Sequence, residues 1–253
     1  MQVRVLMSAL LVLSLAAPAV AQDWTEFANT EDGFKLNFPG EPTVEATTWT
    51  SEYEYELPAR VYRAERGTER YSITVVDYRV IEEMGIERAK GCPPGAEPCT
   101  GQVGGNIGAG YWKNDVRGAM MYATFQLLKR DADLTHLMWN WNDLVEGHLV
   151  QLQNRADQSR TFAAIHMHDN RLYIAEGTVP EGRPAPGLFQ QSMGFVNSNG
   201  DGVRYQGMLY SNAYHGLGEY DAPPYRGAPP RACEPYCDDR LGETGRDPAA
   251  APR

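Results

Sequence analysis

Between Trp24 and about Ser211 apolar and polar residues mostly alternate with period two, and turn signals interrupt them at short intervals. Such a pattern predicts half-buried strands. Gly33 to Phe38 alternates cleanly and stops at Pro39-Gly40. Arg60 to Ala64 and Tyr71 to Tyr78 are rich in Val, Ile, Thr and Tyr, with Gly67 between them, which predicts a hairpin. The period then changes. Ile81 to Lys90 reads as a short helix ending at Gly91. A longer helix starts near Asn114, because Val116, Ala119, Met120, Ala123, Leu127 and Leu128 fall on one face at helical spacing. Asn114 or Asp115 is placed to cap it, and Lys129 and Arg130 suit its C-terminal dipole. Met120 and Met121 read as core filling.

Period two then returns. Leu134 to Trp141 and Leu144 to Gln153 flank Asn142-Asp143, and Thr161 to His168 and Arg171 to Val179 flank Asp169-Asn170. Both dipeptides tolerate positive φ, so each predicts a two-residue hairpin turn. On these registers Glu146 faces Trp139, Glu176 faces Ala163, His168 faces Arg171, His166 faces Tyr173 and Ile165 faces Ile174. Ile165, Met167, Leu172 and Ile174 then form the apolar face, with His166 and His168 on the other. A short helix, Leu188 to Met193, and a last strand, Val203 to Tyr210, complete the ordered part. Residues 100–110 carry five glycines and read as a flexible loop. Residues 212–253 hold seven prolines among Gly, Arg and acidic residues, without apolar periodicity, which predicts a disordered Pro/Gly-rich tail. The domain expected is a single α+β unit over residues 22–211, an antiparallel sheet with helices packed on it.

Composition narrows the partners. Of 253 residues, 23 are Lys or Arg and 33 are Asp or Glu, a formal net charge of −10. That balance excludes the basic footprint of a nucleic-acid binder and an electrostatic anchor on anionic lipid. Residues 1–21 have the form of a secretory leader: Arg4, an apolar run from Val5 to Leu15, and Ala19-Val20-Ala21 as the cleavage site. The run is too short to span a bilayer, so no stable membrane insertion is expected. Export predicts a periplasmic or secreted protein with disulfides. Of the three connectivities open to Cys92, Cys99, Cys233 and Cys237, local closure favours Cys92–Cys99, whose loop three prolines pre-bend, and Cys233–Cys237. The six residues between Cys92 and Cys99 do not match the usual zinc knuckles.

Three segments carry a family resemblance. Phe34-Lys35-Leu36-Asn37-Phe38-Pro39-Gly40-Glu41-Pro42 resembles the opening strand of a group of small, exported, mostly uncharacterised bacterial domains. Tyr71 to Tyr78 sits where their second hairpin falls, and Arg171-Leu172-Tyr173-Ile174 followed by Phe189-Gln190-Gln191-Ser192 is similar to their closing strand and helix. The type is PsbP/Mog1-like, and the resemblance implies an antiparallel sheet with helices packed on it. These motifs are structural, and none carries a catalytic residue.

Candidate chemistry is sparse. His166 and His168, two residues apart on one strand, put both imidazoles on one face, where they could share a divalent metal with Asp169, His136, His148 or His215 as third ligand. Tyr173 and Arg171 opposite make a plain polar strand face the alternative. Asn197 to Gly202 matches the start of a calcium loop, but Met208 stands where the bidentate Glu is required. Glu146 and Glu176 lie in apolar strands, as a general acid with a raised pKa would. No G-x-S-x-G, H-E-x-x-H or P-loop occurs, and the Gly105 to Gly110 stretch is no dinucleotide fingerprint. Tyr111, Trp112, Tyr122, Trp139 and Trp141 cluster in the middle third. They read as core between sheet and helix, or, if exposed, as a binding surface. The expectation is a non-enzymatic binding or accessory module for an unknown protein or small-molecule ligand, without cofactor. The rivals are a metal-dependent protein using His166 and His168, and a carboxylate hydrolase.

Overall fold

A computed structural model describes residues 24–95, 112–203 and 205. The period-two segments form ten strands in two antiparallel sheets. Thr25–Asn29 (β1), Phe34–Phe38 (β2) and Gly194–Phe195 (β10) make a three-stranded sheet. Thr43–Thr50 (β3), Glu56–Arg66 (β4), Glu69–Asp77 (β5), Ala132–Asn142 (β6), Val145–Asn154 (β7), Arg160–His168 (β8) and Arg171–Val179 (β9) make a seven-stranded one, in the order β3-β4-β5-β9-β8-β7-β6. The chain lays down β3 to β5 as a meander and crosses to the far edge. It then returns inward, so that β9 closes against β5. The crossing contains Ile81–Lys90 (α1) and Trp112–Leu128 (α2); a last short helix, Gly187–Gln191 (α3), precedes β10.

Each face of the large sheet has its own core, because side chains alternate along every strand. One face receives α2: Val116, Ala119, Met120, Ala123 and Leu127 pack on Val150, Ala163, Ile165 and Ile174. The other face receives the small sheet and α3, whose Phe34, Leu36, Phe38, Phe189 and Phe195 pack on Tyr62, Ile73, Tyr173 and Ala175. These five side chains are fully buried, each stabilising the fold by about 2 kcal/mol. The α+β class, the hairpin around Gly67, α1 with its end at Gly91 and the apolar face of α2 are as the sequence predicts. So is the β8–β9 register, with Asp169 and Asn170 both at positive φ in the turn.

Several elements differ. The β6–β7 turn is Asp143-Leu144, one residue later than predicted, so Glu146 faces Trp141 while Trp139 faces His148. The cause is tertiary: Asn142 donates from Nδ2 to the Met193 carbonyl at 2.6 Å and is held in the strand. The long helix runs from Trp112, so Asp115 lies within it and is buried. Its carboxylate accepts the Ser51 hydroxyl and, at 3.4 Å, the Tyr53 N–H, tying α2 to the turn between β3 and β4. Burial nevertheless raises the Asp115 pKa to about 6. Of the Met pair only Met120 is core; Met121 is exposed. Leu128, predicted on the apolar face, is partly exposed as well. The helix predicted over Leu188 to Met193 ends at Gln191, and Val203 and Tyr205 are not in a strand. The glycine-rich loop, the leader and the tail from 212 lie outside the described residues.

Candidate binding surface

The predicted histidine pair turns out to be part of the interior. His166 and His168 share a face of β8, but that face is covered by the small sheet and both rings are buried. His166 Nδ1 lies 3.2 Å from the Glu146 carbonyl, which can only accept, so this nitrogen carries the proton. Its Nε2 lies 3.4 Å from Asn140 Nδ2. The His168 ring stacks on Phe195 with centroids 4.3 Å apart, and its Nε2 lies 2.5 Å from the Tyr205 hydroxyl. Burial lowers both pKa values to about 4, so both rings are neutral at pH 7.

The third-ligand candidates lie elsewhere. His148 is on the opposite face of the sheet, where its Nδ1 is 2.8 Å from Thr124 Oγ1. Thr124 already donates to the Met120 carbonyl, so His148 Nδ1–H is the donor. His136 is exposed on β6, Asp169 is in the β8–β9 turn where it binds Arg171, and His215 is outside the described residues. Among the described residues no group of three or more His, Cys, Asp or Glu converges.

The carboxylates are also apart. Glu176 faces Ala163, as predicted, and takes a two-pronged bond from Arg130 at 2.5 and 3.1 Å. Glu146 sits two strands away and four residues further along, roughly 15 Å at ordinary strand dimensions. In the calcium-like segment Asn197 Oδ1 accepts the N–H groups of Asn199 and Asp201, at 2.9 and 3.0 Å, and so closes a turn. Cys92 follows α1; Cys99, Cys233 and Cys237 lie outside the described residues.

A buried polar network at the β1–β2 turn has no counterpart in the sequence reading. Asp32 accepts Arg60 Nη2 at 2.7 Å and the Tyr62 hydroxyl at 2.5 Å through its carboxylate, and the Tyr173 hydroxyl at 2.8 Å through its carbonyl. Arg171 reaches the Glu31 carbonyl at 3.1 Å. Burial first, then the Asp32 hydrogen bond, raises the Tyr62 pKa. The network locks the β1–β2 turn to the large sheet. Asn29 and Asp32 within the turn also bond each other, which was the one local signal available.

At one edge the fold leaves large apolar side chains outside. Trp112 is core, as read, but Trp139 is 57% exposed and Trp141 is exposed beside it, which corrects the expectation that the cluster is buried. The cause is strand order: β6 ends the sheet and α2 does not reach over it. Trp139, Trp141, Leu137 and Leu134 all point to the helix side, opposite His148, Glu146, Val150 and Leu152. Trp139 meets His148 edge to face at 5.0 Å. On α2, at 100° per residue, the flank bearing Thr124 also bears Met121 and Leu128, with Phe125 at the crest. Thr124 touches β7, whereas Tyr122 on the other flank meets Trp49 of β3. Met121 and Leu128 therefore overlook β6, and Met121 and Phe125 are 60% and 55% exposed. Met121 and Leu128 wall a trough floored by β6 and β7, and Phe125 stands above it. Apolar surface of this extent is of the kind that contact sites present.

No protein-family model matches the chain, and no curated protein matches it significantly. Among solved structures it is similar to cyanobacterial PsbP (CyanoP) from Synechocystis sp. PCC 6803, at 12% identity, over 71% of this chain and 95% of that one, with a TM-score of 0.38. The likeness brings no activity or partner with it. Among the described residues no helix is long and apolar enough to cross a membrane.

Proposed function

We propose that the protein is an exported, non-enzymatic binding or accessory module that works through protein–protein contact at the α2–β6 trough. One observation carries this reading: Trp139, Trp141, Leu137, Met121 and Phe125 are left in solvent on a single face, although the same fold buries His148, His166, His168 and most other aromatic residues described. Large exposed aromatic and Met side chains are the composition of a contact core. The imidazoles of His166 and His168 are engaged in packing and hydrogen bonds inside the fold, and the carboxylate of Glu176 is engaged by Arg130, which supports reading them as structural.

The test is a photo-reactive benzoyl-phenylalanine in place of Trp139, expressed in the protein's own cells. A discrete protein adduct from position 139 and none from Val44, on the opposite edge strand, is the expected result. Adducts that are absent from 139, or equal at both sites, contradict the reading.

A further inference from the structure

The outer edge of β6 is a row of backbone N–H and C=O groups with no strand beside it among the described residues. Natural edges are usually blunted by charge, proline or bulges. Here one device is present and confined to one end: the ladder with β7 slips between Leu134 and His136, leaving Thr135 as the extra residue. Beyond it, His136 to Asn142 contains no Asp, Glu, Lys, Arg or Pro. The opposite edge strand, β3, is different, since it carries Glu45 bound to Arg63.

We propose that the occupant of this edge is a second copy of the chain, paired antiparallel through residues 136–142 about a two-fold axis at Trp139. The proposal rests on reading the α2–β6 trough as a contact site and names what fills it. Three observations lead to a copy of the same chain. First, residues directly opposite in a ladder share a face, so a symmetric pair must be centred on a residue and not between two. The unbulged segment 136–142 has its centre at Trp139. That register sets Trp139 against Trp139 and Leu137 against Trp141 on the helix side, and His136 against Asn142 on the other. Every pairing on the helix side is apolar with apolar; on the other face His136–Asn142 is polar with polar, and Met138 falls opposite Asn140. Secondly, a chain of net charge −10 can meet its copy only where charge is missing, and this segment is such a place. Thirdly, the exposed parts of Leu134, Leu137, Trp139, Trp141, Met121 and Phe125 amount to on the order of 700 Å², close to the about 800 Å² that a standard interface takes from each partner. An axis perpendicular to the sheet keeps both α2 helices on one side, so the Trp and Leu side chains of both copies fill the trough between them.

Sedimentation of the full-length protein purified from its own cells tests this, from about 1 to about 100 µM, a range that brackets micromolar dimers. A mass rising to twice that of the chain is expected. Trp139→Glu sets two carboxylates face to face on the axis and should weaken the dimer by on the order of 100-fold. Val44→Glu should leave it unchanged. If Trp139→Glu fails to fold by circular dichroism, hydrogen exchange of the unaltered chain decides: amides of 136–142 should slow as concentration rises. A monomer throughout, with exchange independent of concentration, overturns the proposal, as does a dimer that survives Trp139→Glu in a folded chain. A monomer that still gives a position-139 adduct with a different protein sinks the second copy and leaves the contact site standing. A monomer with no adduct sinks both.

Discussion

Acidification from about pH 6.5 to about pH 4 is expected to remove a large share of this protein's stability. His166 and His168 are neutral in the folded state with pKa values lowered to about 4, mainly by burial, against 6.5 when exposed. Above pH 6.5 neither state binds the proton, and nothing is lost. Between 6.5 and 4 the unfolded chain takes up protons that the folded chain refuses, so stability falls with pH. The loss is on the order of 3 kcal/mol for each ring. His148, whose pKa burial also lowers, adds in the same direction. Asp115 opposes them: its pKa is raised to about 6, so its contribution improves as pH falls through that value, but it is one group against three. A total of 5–15 kcal/mol is usual for a domain, so the net loss is a large share of it. Urea unfolding at several pH values should show the midpoint collapsing over this window. Replacing both rings with Gln should flatten the profile, and a wild-type midpoint indifferent to pH between 7 and 4.5 would contradict the burial of the two rings.

The second large effect belongs to Gly147→Ala. Gly147 pairs with His166 across β7 and β8, and a Cβ there would lie 2.3 Å from the imidazole and 2.5 Å from the Ile165 carbonyl oxygen. Neither neighbour can yield cheaply, since the ring is pinned by the Glu146 carbonyl and the other atom is backbone. Overpacking of this kind costs about 3 kcal/mol, and chemical denaturation should register it. Removing the ring as well, in a Gly147→Ala/His166→Ala chain, should not restore stability, because the carbonyl contact remains. A Gly147→Ala chain as stable as wild type would show that β7 and β8 do not approach so closely.

What the residues disclose on their own is local. Asp169-Asn170 announces its turn, and the whole β8–β9 ladder follows from it, down to His166 opposite Tyr173. Asn142-Asp143 announces a turn equally well, yet the chain turns one residue later, because Asn142 is claimed by a carbonyl 51 positions away. Exposure is less legible still. Trp112 and Trp139 look alike in sequence; one lies under α1, where a Cβ on Gly85 would come within 2.5 Å of it, and the other stands on an edge. The difference is strand order, which depends on where a long crossing lands. His166 and His168 fall on the predicted face, but that this face has a lid depends on β1, whose five residues do not alternate, and on β10, which has only two.

The account stands or falls on whether the α2–β6 trough is covered where the protein works. Hydroxyl-radical footprinting reads this directly, by comparing oxidation of Met121, Phe125, Trp139 and Trp141 in intact cells and in dilute purified protein, with exposed Ile86 as reference. Protection of the four side chains by several-fold in cells, with Ile86 unchanged, is the result predicted. Equal oxidation of all four in both settings would mean that the surface meets only water, and the proposed contact site would be wrong.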